Sequence, residues 1–308
     1  MICGVIDIGS NTVRLSVFKV HGKDVVSLFN VKEALGLVSY RKGRILLDEG
    51  VEKLIQVLAE FQKIINNFGD IEVTYAIATA SLRDVKNREE ILTRIRLELG
   101  LTVEIISGDE EARMAFLGAS HFLPDHELGI LADIGGGSTE LVRFFNRDIL
   151  DSVSLDLGSL TSFRYYVSQL FIAKSERAAL EKDLLAKLRD SGISRKRSEY
   201  LCAVGGSARA GLVLYNDYYG EDIHNRIMSR DKLGKLLTAF INMEAREKFR
   251  RIIYLKADRL HTVLPGICIL HGLAKYFKID IISVSETGIR EGFLRERLVE
   301  ERQPEYSI

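Results

Sequence analysis

Val5-Ile6-Asp7-Ile8-Gly9-Ser10-Asn11-Thr12 and Leu131-Ala132-Asp133-Ile134-Gly135-Gly136-Gly137-Ser138-Thr139-Glu140 are two versions of one pattern. In each, an apolar run of strand type leads through an Asp to glycines that let the backbone approach an anion. A hydroxyl residue able to donate a hydrogen bond follows. From Asp7 to Asp133 the chain runs about the length of one domain. A strand-and-turn unit repeated at that distance predicts two related α/β domains facing each other, with an anion held between their Gly loops.

The repeat extends past the loops. Residues 12–20 alternate apolar and polar, and residues 24–31 supply a third run after the His21-Gly22-Lys23 turn. Residues 140–145 and 149–157 repeat this around Asn146-Arg147-Asp148. Each half therefore opens with a three-stranded meander. Helical spacing follows over 47–67, 88–99 and 109–120, with strands at 71–78 and 101–106. The second half reads as helices at 174–189, 207–215, 230–249 and 257–277, with strands at 200–204 and 280–284. This order predicts an α/β protein with mixed sheets flanked by helices. The repeat places the boundary near Leu123-Pro124-Asp125, giving domains of 1–123 and 124–308.

Composition narrows the class. The 308 residues, 46% hydrophobic and 28% charged, can bury two ordinary cores. The net charge is 0, so the chain lacks the field of a general nucleic-acid binder, and a polyanion must be met by a local basic cluster. Arg195-Lys196-Arg197 is such a cluster, and its loop context reads as solvated surface. No stretch approaches a membrane span, and Asp7 comes too early for a signal peptide. Cys3, Cys202 and Cys268 stand isolated in apolar surroundings without zinc spacing, as buried reduced thiols of a cytoplasmic protein would.

Candidate chemistry gathers at the Gly loops. A single Asp such as Asp7 or Asp133 at a strand end reads as a turn cap. Two in matching repeats point to a hydrated divalent cation or an oriented water. Gly9-Ser10-Asn11 and Gly135-Gly136-Gly137-Ser138-Thr139 are phosphate-loop candidates. Val204-Gly205-Gly206-Ser207 is a third, opening a helix whose N-terminus favours an anion. In Ser107-Gly108-Asp109-Glu110-Glu111-Ala112-Arg113, Asp109 and Glu110 complement the helix dipole, whereas Glu111 reads equally as cap or catalyst. Arg83, in Ala78-Thr79-Ala80-Ser81-Leu82-Arg83, suits either a phosphate fork or a salt bridge. No Ser-His-Asp or Cys-His set stands out.

The runs DIGSNT, ATASLRD, IISGDEEAR, DIGGGSTELV, VGGS and SETGIREG occur here in order, and with them the chain resembles the exopolyphosphatase/guanosine pentaphosphate phosphohydrolase (Ppx/GppA) family over nearly its full length. The resemblance implies two ribonuclease-H-like, actin-like domains with the active site in the interdomain cleft, in the short two-domain form. It implies hydrolysis of the terminal phosphoanhydride of polyphosphate, or of the 5′-phosphate of guanosine pentaphosphate, assisted by magnesium. On the same basis Glu111 is the base that activates water and Arg83 meets phosphate charge. Asp133 and Glu140, with Asp7, attend the metal, and the three Gly loops with Arg259 bind phosphates. A homodimer is a further implication, as is a role in the stringent response.

Several positions depart from the family pattern. His261 stands where many members carry Asp, Ser207 is followed by Ala208-Arg209 where small or hydroxyl residues are usual, and Ala34-Leu35-Gly36 lacks the arginine often found in the family's Arg-Leu-Gly run. Arg209 is expected to reach a phosphate beyond the one cleaved. The departures motivate a second reading, a non-catalytic sensor of polyphosphate or guanosine tetraphosphate, and the Gly loops, which would equally serve ATP, leave open an actin-like ATPase or sugar kinase.

Overall fold

The computed structural model describes residues 1–22, 24–124, 128–196 and 198–300. Lys23 of the first turn, Asp125 of the expected linker and Arg197 of the basic run lie outside the described residues. Chain contacts separate two compact units. One holds Met1–Gly118 together with the final helix, and the other holds Ala119–Gly288.

The first unit runs β1 (Ile2–Ile8), β2 (Val13–His21), β3 (Asp24–Glu33), the small hairpin β4 (Arg41–Lys42) and β5 (Ile45–Leu46), and α1 (Asp48–Phe68). It continues with β6 (Val73–Ala78), α2 (Ala80–Arg83), α3 (Arg88–Leu99), β7 (Val103–Ile105) and α4 (Gly108–Ala119). Its sheet is ordered β3-β2-β1-β6-β7. β1 and β2 pair antiparallel while β1 and β6 pair parallel, as a meander followed by crossovers demands. Leu54, Leu58 and Phe61 of α1 pack onto Ile6, Ile8 and Leu15 of the sheet.

The second unit repeats the scheme. β8 (Leu128–Ile134), β9 (Thr139–Phe145) and β10 (Asp148–Leu155) lead to α5 (Ser159–Tyr166), α6 (Lys174–Asp190), β11 (Tyr200–Val204) and α7 (Gly205–Tyr219). Then come β12 (Ile227–Ser229), α8 (Arg230–Asn242), α9 (Ala245–Lys256), α10 (Val263–Tyr276) and β13 (Ile281–Val284). The sheet order β10-β9-β8-β11-β13-β12 matches the first with one strand added at its edge. α10 is buried almost throughout and forms the centre of this core. Each unit thus has the mixed sheet flanked by helices expected of an actin-like domain. Among the described residues no helix is long and apolar enough to cross a membrane.

The units differ from the expected division. The contacts change hands at Gly118 rather than at residue 123, and α11 (Ile289–Glu300) packs on the first unit. Phe293 and Leu294 of α11 join Cys3, Val5 and Met114 in one cluster, and Arg295 donates to the Leu117 carbonyl at 2.7 Å. The long helices expected at 230–249 and 257–277 are each interrupted. Met243 and Glu244 are extended, which separates α8 from α9. A short 3-10 turn at Ala257–Arg259 precedes α10, whose first turn holds Pro265, where the missing N–H costs nothing.

Candidate active site

The loop after β8 is shaped by α5. Gly135 N–H donates to the Ser138 carbonyl at 3.0 Å, closing the turn between β8 and β9. Behind it, the Gly135 carbonyl accepts from Ser159 N–H (2.9 Å) and Ser159 Oγ (3.0 Å). The Gly136 carbonyl accepts from Leu160 and Thr161 N–H at 2.9 and 3.0 Å, and the Gly137 carbonyl from Thr161 Oγ1 at 3.2 Å. No peptide here is cis, so each amide N–H points opposite to the carbonyl of its own peptide plane. Tying the three carbonyls to α5 turns the N–H groups of Gly136, Gly137 and Ser138 away from it. Consecutive amides turned to one side make an anion cradle. Gly158 is needed for the close approach, because a Cβ there would stand 2.5 Å from the Gly136 carbonyl carbon and 2.6 Å from the Gly137 nitrogen.

The loop after β1 uses the same device. Gly9 N–H donates to the Thr12 carbonyl at 3.1 Å. The Ser10 and Asn11 carbonyls accept from Val38 N–H (3.3 Å) and Gly36 N–H (2.9 Å), which turns the amides of Asn11 and Thr12 outward. Gly36 has φ of 62°, which favours glycine at this pinning position. Ser81 Oγ adds a bond to the Ile8 carbonyl. The Leu35-Gly36-Leu37-Val38 segment therefore braces this loop through its backbone.

The third loop opens α7. Gly205 has φ of 93°, and a Cβ there would lie 2.5 Å from Asp133 Oδ1. Asp133 is paired with Val204 in register, so its carboxylate sits beside the N-terminus of α7. Arg259 is buried with its guanidinium over Gly206, Nη1 lying 3.3 Å from where a Cβ would stand. Burial lowers the Arg259 pKa, with Asp258 opposing. Ser207 Oγ bonds Ser159 Oγ at 2.9 Å, and Ser159 bonds Gly135, so the second and third loops are joined by a chain of hydroxyls.

Glu111 and Arg83 meet in the first unit. Arg83 Nη1 donates to Glu111 Oε2 at 2.8 Å and to the Ile106 carbonyl at 3.1 Å, and only 8% of Glu111 is exposed. Arg83 thus forms an ion pair with Glu111. Glu110 closes a capping box with Ser107, whose hydrogen bonds hold the Glu110 pKa below the usual carboxylate range. Asp7 lies near Arg290, with Oδ2 4.0 Å from Nε, and Arg290 donates to Ser16 Oγ at 2.6 Å. Burial raises the Asp7 pKa, while Arg290 and then Arg14 oppose the rise.

Other expected site residues are placed differently. Thr139 is fully buried and donates its hydroxyl to the Leu157 carbonyl at 2.6 Å, and Ser207 is equally enclosed. Their hydroxyls hold the scaffold together. Glu140, paired with Asp133 across β8 and β9, is fully buried and accepts from Ser154 Oγ at 2.8 Å. Among the described residues no three His, Cys, Asp or Glu side chains come together as a metal cage. Arg209, expected at a phosphate, donates from Nη1 to the Ser285 and Glu286 carbonyls at 3.3 Å each. His261 packs edge-on against Phe163, centroids 5.0 Å apart. Burial pushes the Cys202 and Cys268 thiols up to about 12, so neither is a thiolate nucleophile near neutral pH.

Sequence reasoning missed Arg290, Ser159 and Thr161. Arg290 was visible in SETGIREG but had no partner to assign it to. Ser159 and Thr161 lie in a Gly-Ser-Leu-Thr-Ser stretch to which the sequence reading assigns no element and which is the first turn of α5.

The sequence profile of the Ppx/GppA phosphatase family matches residues 18–301. Exopolyphosphatase 1 of Mycobacterium tuberculosis is 26% identical over 312 residues, an alignment spanning 96% of this chain and 88% of that one. The crystal structure of the Aquifex aeolicus Ppx/GppA family member is similar, with a TM-score of 0.81, 27% identity and 99% coverage of both chains. An exopolyphosphatase structure from Cytophaga hutchinsonii shares the fold at a TM-score of 0.84 and 23% identity, covering 97% of this chain and 98% of the other. A match of that extent, on a fold shared over the same length, makes this chain a member of the Ppx/GppA phosphatase family.

Proposed function

We propose that this protein hydrolyses the terminal phosphoanhydride of inorganic polyphosphate, or removes the 5′-phosphate of guanosine pentaphosphate, by attack of a positioned water. The observation that carries the reading is the construction shared by the first two loops, in which tied-back carbonyls turn consecutive amides to one side. Phosphoryl transfer asks little covalent help of a protein. It asks for a positioned water and for compensation of charge on the phosphoryl oxygens. Backbone amides fixed before substrate arrives supply that compensation without reorganising. The name of the mycobacterial relative supports polyphosphate as the first substrate to test.

In this reading Glu111 accepts the proton of the attacking water, and the contact from Arg83 Nη1 fixes the orientation of its carboxylate. The amides of Gly136, Gly137 and Ser138, the N-terminus of α7 and the Arg259 guanidinium meet phosphate oxygens.

The donor set suits magnesium. Asp133 offers a hard oxygen beside two phosphate loops, and no protein cage encloses it among the described residues. Magnesium binds in that way, through one or two carboxylates plus water and substrate oxygens. Asp133 would hold it, Glu140 would orient its surroundings, and Asp7 would have the same role in the first unit. When bound, the ion neutralises charge on the phosphoryl oxygens.

Phosphate release from long polyphosphate, tripolyphosphate and guanosine pentaphosphate, each with and without magnesium, tests the proposal. Release from at least one substrate is the expected result. Ligand-dependent stabilisation with no release from any would overturn it in favour of a sensor.

A further inference from the structure

His271 of α10 takes no part in the chemistry proposed above. It is only 8% exposed, and its Nδ1 is sealed from solvent with no hydrogen-bond partner among the described residues. A buried polar atom left unpaired costs free energy, so its persistence asks for a reason. The ring borders a groove of about 600 Å³, whose other lining comes from one face of α8 and includes Asp231, Gly234, Lys235 and Thr238. That volume is in the range of small-molecule sites, and every residue of the groove belongs to the second unit.

Gly234 opens the groove to the ring. A Cβ there would stand 2.7 Å from Nε2, 3.3 Å from Cε1 and 3.5 Å from Cδ2, so the missing side chain leaves the Nε2 edge uncovered. Orphaned buried N–H groups are rarer than under-satisfied acceptors, which places the single proton of the neutral ring on Nε2 rather than on the sealed Nδ1. His271 then presents the groove with an N–H donor and no lone pair. Such a ring suits neither a metal ion nor the acceptance of a proton.

The charges around the ring favour an anion. Burial first, then Arg177, Lys275 and Arg230, lower the His271 pKa to about 4, with Glu181 opposing, so the ring is neutral near pH 7. Arg177 is paired with Glu181 at 2.7 Å, and Arg230 with Asp280 at 2.7 Å and with Asp231 of the groove at 3.5 Å. The Thr238 hydroxyl is engaged, donating to the Gly234 carbonyl at 2.9 Å. Lys235 is exposed on the same face of α8 and has no ion pair among the described residues. The groove therefore offers one neutral donor and one ammonium.

We propose that this groove binds a small oxyanion, a phosphate or a carboxylate, between the Nε2–H of His271 and the ammonium of Lys235. The proposal goes beyond the functional reading above and does not depend on it. An oxyanion answers both donors at once, whereas a cation would meet the field of Arg177, Lys275 and Arg230.

Long-range ¹H–¹⁵N spectra of histidine-labelled protein test the proposal, with His271→Gln identifying the His271 signals. Near neutral pH the free protein should show the Nε2–H tautomer. Inorganic phosphate, acetate or both, titrated separately, should move the His271 signals saturably, and the ion that does so identifies the ligand class. Lys235→Ala should weaken that binding about three-fold, as loss of one exposed charge contact allows. Gly234→Ala should abolish the movement by filling the space beside Nε2. A proton on Nδ1, no saturable movement with either ion, or an undiminished affinity in Lys235→Ala overturns the proposal. So does movement that persists in a folded Gly234→Ala protein, which assigns it to an ion held at the phosphate loops.

Discussion

Gly158→Ala isolates the link between α5 and the phosphate loop. Gly158 has φ −113° and ψ 177°, a conformation open to alanine, so the substitution introduces no backbone strain. Its whole effect is steric. The new methyl would begin 2.5 Å from the Gly136 carbonyl carbon and 2.6 Å from the Gly137 nitrogen. Ordinary contact lies near 3.5 Å, so a gap of about 1 Å must open between loop and helix. If the loop yields, the Gly137 amide moves by that amount. If α5 yields, the bonds from Leu160 and Thr161 to the Gly136 carbonyl stretch and the amides lose their alignment. Misplacement by about 1 Å costs on the order of a hundredfold in rate, while overpacking costs about 1–3 kcal/mol of stability. The expected result is a folded protein, lowered by several degrees in Tm, whose kcat for phosphate release falls about a hundredfold. A folded Gly158→Ala protein with wild-type kcat would refute the argument that α5 sets the amides for catalysis.

Three further outcomes follow from the same geometry. Glu111→Gln keeps a hydrogen-bond acceptor for Arg83 but removes the basic oxygen, so kcat should drop on the order of a hundredfold or more with Tm nearly unchanged; full turnover would remove Glu111 from its role. Asp133→Asn should raise the magnesium concentration for half-maximal activity, and an unchanged titration would discard Asp133 as a metal-facing group. His271 is buried, and burial first, then the cations Arg177, Lys275 and Arg230, lower its pKa to about 4, while Glu181 opposes. A depressed histidine leaves stability fully present above about pH 6.5 and lost as pH falls toward 4, by roughly 1–3 kcal/mol. Denaturation midpoints between pH 7 and 4 should fall more steeply for wild type than for His271→Gln, and parallel curves would contradict the assignment.

The parts of the fold that were legible in sequence are those with a strong local signal. α3 and β11 begin and end where periodicity and the Gly100 cap place them, and both meanders were visible as alternation broken by turn residues. The division of 230–249 into α8 and α9 was not, because Asn242-Met243-Glu244 contains neither Gly nor Pro and the apolar spacing continues across the break. The place of α11 was hidden for a different reason. Its pairing with α4 joins residues far apart in the chain, where Gly292 approaches the Met114 carbonyl closely, and such contacts leave no local trace. In the site, residue types pointed to the loops and the carboxylates. Which hydroxyls face outward was decided by tertiary bonds, and these took Thr139 and Ser207 into the scaffold.

Recognition by peptide amides, as proposed for these loops, would have a consequence for how this protein can change. A backbone N–H does not titrate and is present in every residue except proline, so anion capture at the loops should hold across the pH range in which the fold survives. No single side-chain deletion within Gly136, Gly137 or Ser138 removes a backbone donor. Selection among phosphate compounds must then act through groups that vary, the side chains around the cradle and along the route by which the rest of the substrate leaves it. The loops would stay alike across relatives with different substrates, while preference shifts by exchange of residues that never touch the phosphate being cut.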